Sequence, residues 1–315
     1  MNKRITSLCF ITLSLLLSTF TYGADKLRVV ATFSVLGDLV TQVGGNQIEL
    51  STLVGPNGDA HVFQPSPFDT EKVAKADVLV INGLEFEGWI KRIQASSGFK
   101  GKLVVATSGI NTIHLEDNHE KQAEHEEVHH DDKAHNDDEH GEYDPHAWHS
   151  VPNVQIYVEN IRSALVQADP ARSDFFNKQA KHYQTQLEAL ELEIRNALKG
   201  IPENKRKVIT SHDAFGYLAH EYDLQFYAPQ GMSTESEASA AEVASIIKQI
   251  RKDKIKAVFV ENISDSRLIQ QIVNETDAEM GGKLYSDALS GVTDNASTYI
   301  DMMKHNITTL SVALK

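Results

Sequence analysis

Short runs of β-branched and apolar residues alternate along the chain with stretches of helical period, which is the sequence form of βαβ units and a mainly parallel sheet. In the first half this predicts strands at 27–32, 48–54, 78–81 and 103–106, and helices at 35–43, 66–76 and 86–95. Gly55-Pro56-Asn57-Gly58-Asp59 forces a loop after the second strand. A helical stretch without strand signals follows, with one helix at 151–168 and a longer one opened by Asp169-Pro170 that runs to about Leu198. Phe176, Ala180, Tyr183, Leu187, Leu190, Ile194 and Leu198 keep the helical period throughout. Such a helix spans about 40 Å. The alternation then resumes, with strands at 207–210, 224–227, 257–260 and 283–285 and helices at 213–221, 240–251, 266–275 and 293–310. The expected fold is α/β: two lobes (24–168 and 201–315), each a mainly parallel sheet flanked by helices, joined by a long rigid helix (169–200).

The N-terminus changes the setting of that fold. Lys3 and Arg4 precede a short apolar run and then Thr21, Gly23 and Ala24, the pattern of a cleaved secretory signal over residues 1–23 and hence of a periplasmic protein. The run is interrupted by Ser and Thr and falls short of the roughly 20 residues of a membrane span. Cys9, the only cysteine, lies within it. The exported chain would therefore have neither disulfides nor thiolate ligands, and any metal site must be built from His, Asp and Glu.

Charge points the same way. The formal net charge is -14, and between His114 and Asp144 the chain carries seven His, thirteen Asp or Glu and two Lys. Such a tract repels itself and is expected to be a solvated loop. Imidazoles among carboxylates attract divalent cations, whereas nucleic acid and anionic membranes are excluded as partners. Its last stretch is Glu142-Tyr-Asp-Pro-His-Ala-Trp-His149.

Four candidate ligands fall just beyond the carboxyl ends of expected strands: His61, His146, His212 and Asp287. In open α/β sheets that edge forms the ligand-binding crevice. Two come from each lobe, so all four could converge on one cleft. The segments Asp59-Ala-His61-Val-Phe-Gln-Pro-Ser66, Asp144-Pro-His146-Ala-Trp148, Ser211-His212-Asp-Ala-Phe-Gly-Tyr217 and Tyr285-Ser-Asp287-Ala-Leu289 resemble, in order and spacing, the four ligand motifs of the zinc- and manganese-binding receptors of ABC importers, the ZnuA/TroA-like group. The resemblance spans essentially the whole exported chain. It implies a monomeric, non-enzymatic receptor that binds its ion between the lobes at His61, His146, His212 and Asp287 and delivers it to an inner-membrane permease, with a periplasmic metal chaperone as a further partner.

Three imidazoles and one carboxylate favour four-coordinate Zn²⁺, while Mn²⁺ prefers more oxygen donors. In the resembling group the third ligand is commonly His in zinc receptors and Glu in manganese receptors; here it is His212. A manganese or iron receptor stays open as the alternative, and so does a zinc hydrolase, although the chain has no H-E-x-x-H. Two departures stand out. The first motif has Ala60 where the group usually has Pro, which predicts a less rigid loop around His61. His149 stands where an aliphatic residue is common; it is expected on the surface, with a supporting or transfer role beside the ligands as the alternative. Glu237 is expected either to orient a ligand histidine or to favour a helix start.

Overall fold

The structure is a computed structural model that describes residues 25–115 and 141–315. The expected signal peptide and residues 116–140 of the histidine tract lie outside the described residues. The first lobe contains β1 (Leu27–Phe33), α1 (Ser34–Gly44), β2 (Ile48–Val54), α2 (Pro67–Lys75), β3 (Val78–Ile81), α3 (Ile90–Ser97) and β4 (Lys102–Val105). Helices α4 (Val151–Ala168) and α5 (Ser173–Leu198) follow. The second lobe contains β5 (Lys207–Ile209), α6 (Gly216–Tyr222), β6 (Gln225–Tyr227), α7 (Ala240–Asp253), β7 (Ala257–Glu261), α8 (Ser266–Asn274), β8 (Glu279–Leu284) and α9 (Tyr299–Leu314). Each lobe holds a four-stranded parallel sheet, in the orders β2-β1-β3-β4 and β6-β5-β7-β8. The fold is thus the expected pair of parallel-sheet α/β lobes.

Local chemistry explains where elements begin and end. Helix α2 starts in a capping box: the Asp69 N–H donates to Ser66 Oγ (3.3 Å), the Ser66 N–H donates to the Asp69 carboxylate (3.1 Å), and Pro67 fills the first turn. Helix α3 starts at Ile90 rather than at the expected Phe86, because the buried Glu87 carboxylate accepts from Asn82 N–H (2.7 Å), Gly83 N–H (3.2 Å) and the Thr32 hydroxyl (2.6 Å) and holds 82–87 in a turn. That turn keeps Leu84 and Glu85 at positive φ (52° and 62°) and sets the Phe86 ring against Trp148 at 4.8 Å. Strand β8 begins four residues before the expected 283–285. Gly281-Gly282 sits inside it as an irregularity opposite Val258 and Phe259, and a Cβ at Gly281 would come within 2.6 Å of the Phe259 ring.

The 26 residues of α5 span about 39 Å, and the helix packs on α1, α4 and α9. Its buried face is the periodic set from Phe176 to Leu198. The two lobes share most of one core. One apolar cluster runs from the first sheet through α4 and α5 into Phe215, Tyr285, Tyr299 and α9, and only the outer layer of the second lobe, built on Ile209, Val243, Ile247 and Ile269, forms a cluster of its own. Hydrogen bonds reinforce this junction. Leu289 N–H donates to Ser34 Oγ (2.9 Å), Trp148 Nε1–H to Ser286 O (2.9 Å), Tyr299 N–H to the Asp38 carboxylate (2.8 Å) and the Tyr299 hydroxyl to Trp148 O (2.9 Å).

Candidate metal centre

Because all strands are parallel, their carboxyl ends share one edge in each lobe, and those edges face each other across the cleft. His61 lies in the loop after β2, His146 in the segment after β4, His212 after β5 and Asp287 after β8. The structure brings all four together: one ligand atom from each lies within 4.8 Å of every other. His61 Nε2 and His212 Nε2 stand 3.2 and 3.3 Å from Asp287 Oδ2, and His146 Nε2 stands 3.7 Å from Asp287 Oδ1. His146, His212 and Asp287 are fully buried, and His61 is 7% exposed. These three Nε2 atoms and both Asp287 oxygens face one another without hydrogen-bond alignment. Buried polar atoms are costly without a partner, and a cation at their centre would satisfy all of them.

The opposite ring nitrogens of His146 and His212 face carboxylates. Asp144 Oδ1 accepts from the His146 N–H (2.9 Å) and lies 2.9 Å from His146 Nδ1. Glu261, the last residue of β7, accepts from the Ser211 and His212 N–H groups (2.8 and 2.9 Å), and its other oxygen lies 2.5 Å from His212 Nδ1. Both contacts direct Nε2 to the centre, as metal-ligating histidines require. Glu237 is exposed, so the expectation that it orients a ligand gives way to Glu261 and Asp144. Phe86, 4.8 Å from the His61 ring and 5.9 Å from that of His146, walls the site.

The electrostatics fit a site that exchanges a proton for a cation. Burial disfavours charge on His212, yet the Glu261 and Asp287 carboxylates around it overcome burial and raise its pKa well above the usual imidazole range. Burial would raise the Asp287 pKa, but the neighbouring His212 holds it well below the carboxylate range. Burial lowers His146 to about 3, so it is neutral and ready to donate a lone pair. A divalent ion at this centre would compete with a proton on His212, so loading would release a proton.

His149 is not the surface group expected. It is fully buried, its ring lies 4.6 Å from Phe215, and among the described residues neither ring nitrogen makes a well-aligned hydrogen bond. Burial lowers its pKa to about 3 from 6.5. The unfolded chain therefore takes up a proton there first, and the stability present above pH 6.5 is lost as the pH falls toward 3. That linkage amounts to about 2 kcal/mol at pH 5. His149→Leu is expected to melt higher than the wild type, with the gap widening between pH 7 and pH 5. Parallel melting curves over that range would refute the linkage.

A family model described as zinc-uptake complex component A, periplasmic, matches residues 29–313. The chain belongs to this ZnuA family. ZnuA-family relatives include the iron-binding protein YfeA of Yersinia pestis, 31% identical over 288 residues that cover 91% of this chain and 86% of the relative. The manganese-binding lipoprotein MntA of Bacillus subtilis is also 31% identical, with 92% and 90% covered. Among solved structures, the periplasmic zinc binding protein TroA of Treponema pallidum superposes with a TM-score of 0.80 at 26% identity, covering 92% of this chain and 99% of TroA. The Mn-bound periplasmic metal binding protein of Candidatus Liberibacter asiaticus gives 0.77 at 28%, with 92% and 100% covered. The ZnuA-family assignment makes the chain a metal-binding receptor of an ABC importer; its relatives are solute-binding proteins whose names carry iron, manganese or zinc.

Proposed function

We propose that the chain is a periplasmic zinc receptor that holds Zn²⁺ on His61, His146, His212 and Asp287 and hands it to the permease of an ABC importer. One observation carries the metal choice: a buried centre holds three imidazole nitrogens and a single carboxylate, with His61 and His212 Nε2 3.2 and 3.3 Å from Asp287 Oδ2 and His146 Nε2 3.7 Å from Asp287 Oδ1. A tetrahedron of about 2.0–2.1 Å bonds has edges of about 3.3–3.4 Å. The donor set is rich in nitrogen, where Mn²⁺ favours oxygen. The names of YfeA and MntA favour the second reading, an iron or manganese receptor with the same ligands.

The histidine tract is proposed to collect further ions near the cleft. Its neck is closed by antiparallel pairing of His114 with Tyr143, and by Leu115 N–H to Glu142 O (3.2 Å) and Asp144 N–H to Ile113 O (2.9 Å). A short turn can therefore replace residues 117–140 without disturbing His146. Competition of Zn²⁺ against Mn²⁺ on metal-stripped protein, with and without that excision, is the test. Zinc should win by at least tenfold, and excision should remove only weaker additional sites. Preference for manganese would overturn the zinc reading, and loss of the tight site on excision would overturn the separate role of the tract.

A further inference from the structure

Of the four proposed ligands, only His61 lines the cavity of about 780 Å³ at the mouth of the cleft. The other three lie behind it and are fully buried. An ion leaving the centre therefore passes His61, between the loop that carries it and the segment 228–239 of the second lobe, which presents Met232, Ser233, Glu235 and Ser236 to the same cavity. This segment lacks helix or strand. Its inner end is fixed beside His212, by the pairing of Gln230 with His212 and by the Asp213 N–H donating to Gly231 O (3.3 Å).

Its outer part is tied differently. Among the described residues, one hydrogen bond joins the segment to the opposite lobe: the Thr234 hydroxyl donates to Asp59 Oδ2 at 2.6 Å. The other oxygen of the same carboxylate, Asp59 Oδ1, accepts the His61 N–H at 2.9 Å. The corresponding Asp144 of the Asp-x-His146 motif makes the equivalent bond to His146 N–H, but no described bond carries it across to the second lobe. The far side of the cleft is stitched by the buried bonds around Leu289, Trp148 and Tyr299, so the Thr234 side is the one that can part at low cost.

We infer that the Thr234–Asp59 hydrogen bond is the latch of the metal's route. While it is made, segment 228–239 covers the mouth and Asp59 is pinned in the position that fixes the backbone of His61. When it breaks, the mouth opens and Asp59 is free to shift, so the His61 loop loses its tie to the second lobe while Trp89 Nε1–H still holds Ala60 O (2.9 Å), which makes His61 the first ligand to leave and the last to engage. Asp59 and Thr234 are positioning residues, because neither touches the ion.

The inference rests on the receptor reading, and the test separates the two. Thr234→Val keeps the shape of the side chain and removes the donor; Thr234→Ser keeps the donor. In T234V, transfer of zinc to an excess of chelator is expected to be about tenfold faster, the scale of one hydrogen bond to a charged acceptor. Equilibrium affinity should fall by less than the release rate rises, because entry is also faster. T234S should behave as the wild type. Hydrogen exchange on metal-free protein reads the latch without any ion, and amides of 228–239 should exchange faster in T234V and not in T234S. Unchanged release, unchanged exchange, or a T234S variant that matches T234V would each overturn the latch. A wild type that binds no zinc would instead overturn the receptor reading, while the exchange measurement still decides the latch.

Discussion

Alanine at His212 is expected to weaken zinc binding by about a hundred- to a thousandfold. Four-ligand zinc sites are worth about 10–16 kcal/mol in total, so one ligand carries about 3 to 4 kcal/mol. His212 should fall at the upper end, since it serves two carboxylates at once: Glu261 at Nδ1 (2.5 Å) and Asp287 at Nε2 (3.3 Å). With it gone, both carboxylates are buried with one fewer neighbouring positive charge, and breaking such a pair from one side is strongly destabilising. The metal-free variant should therefore also melt lower than the wild type. Chelator competition and thermal melting check the two halves of this expectation. Wild-type affinity in H212A would remove His212 from the ligand set.

The second large effect is expected at Glu261, which touches no ion. One of its oxygens accepts two backbone N–H groups and the other faces His212 Nδ1. In Glu261→Gln the amide has a single acceptor oxygen. If that oxygen stays with the backbone donors, the NH₂ group faces Nδ1 and forces the tautomer in which Nε2 carries the proton and cannot ligate. Affinity should drop by about 10- to 100-fold, the usual cost of losing an outer partner of a metal-bound histidine. Combined with H212A the loss should be less than additive, because both changes act on the same nitrogen. Full additivity would show that Glu261 supports the site by some other path.

Both lobes and the long helix are legible in the chain because their signals are periodic: alternating apolar runs for parallel strands, and a stripe from Phe176 to Leu198 for α5. The four candidate ligands are legible because each follows a strand end, and parallel topology sends all strand ends to one edge. What escaped depended on neighbours that are distant in sequence. Glu261 closes an apolar strand as an isolated acid, but its meaning emerges only when β7 lies beside β5, which brings it to His212. Asp144 lay in view inside the Asp-Pro-His motif, and its hold on the ring of His146 is a matter of three-dimensional geometry. His149 gave one usable sign: it occupies a position that the family usually fills with an aliphatic side chain, which marks a buried place whatever residue stands there. Glu237 misled because it is exposed in the structure, whereas the carboxylates beside His146 and His212 are the buried Asp144 of the same motif and the buried Glu261 at the end of β7.

The apolar cluster that passes without a break from the first sheet through α5 into α9 has a consequence for how the molecule holds together. Neither half can be stripped from the other without baring the flanks of Phe215, Tyr285 and Tyr299, so the two halves form a single cooperative melting unit. Damage to a remote helix such as α9 is then felt at both sheets.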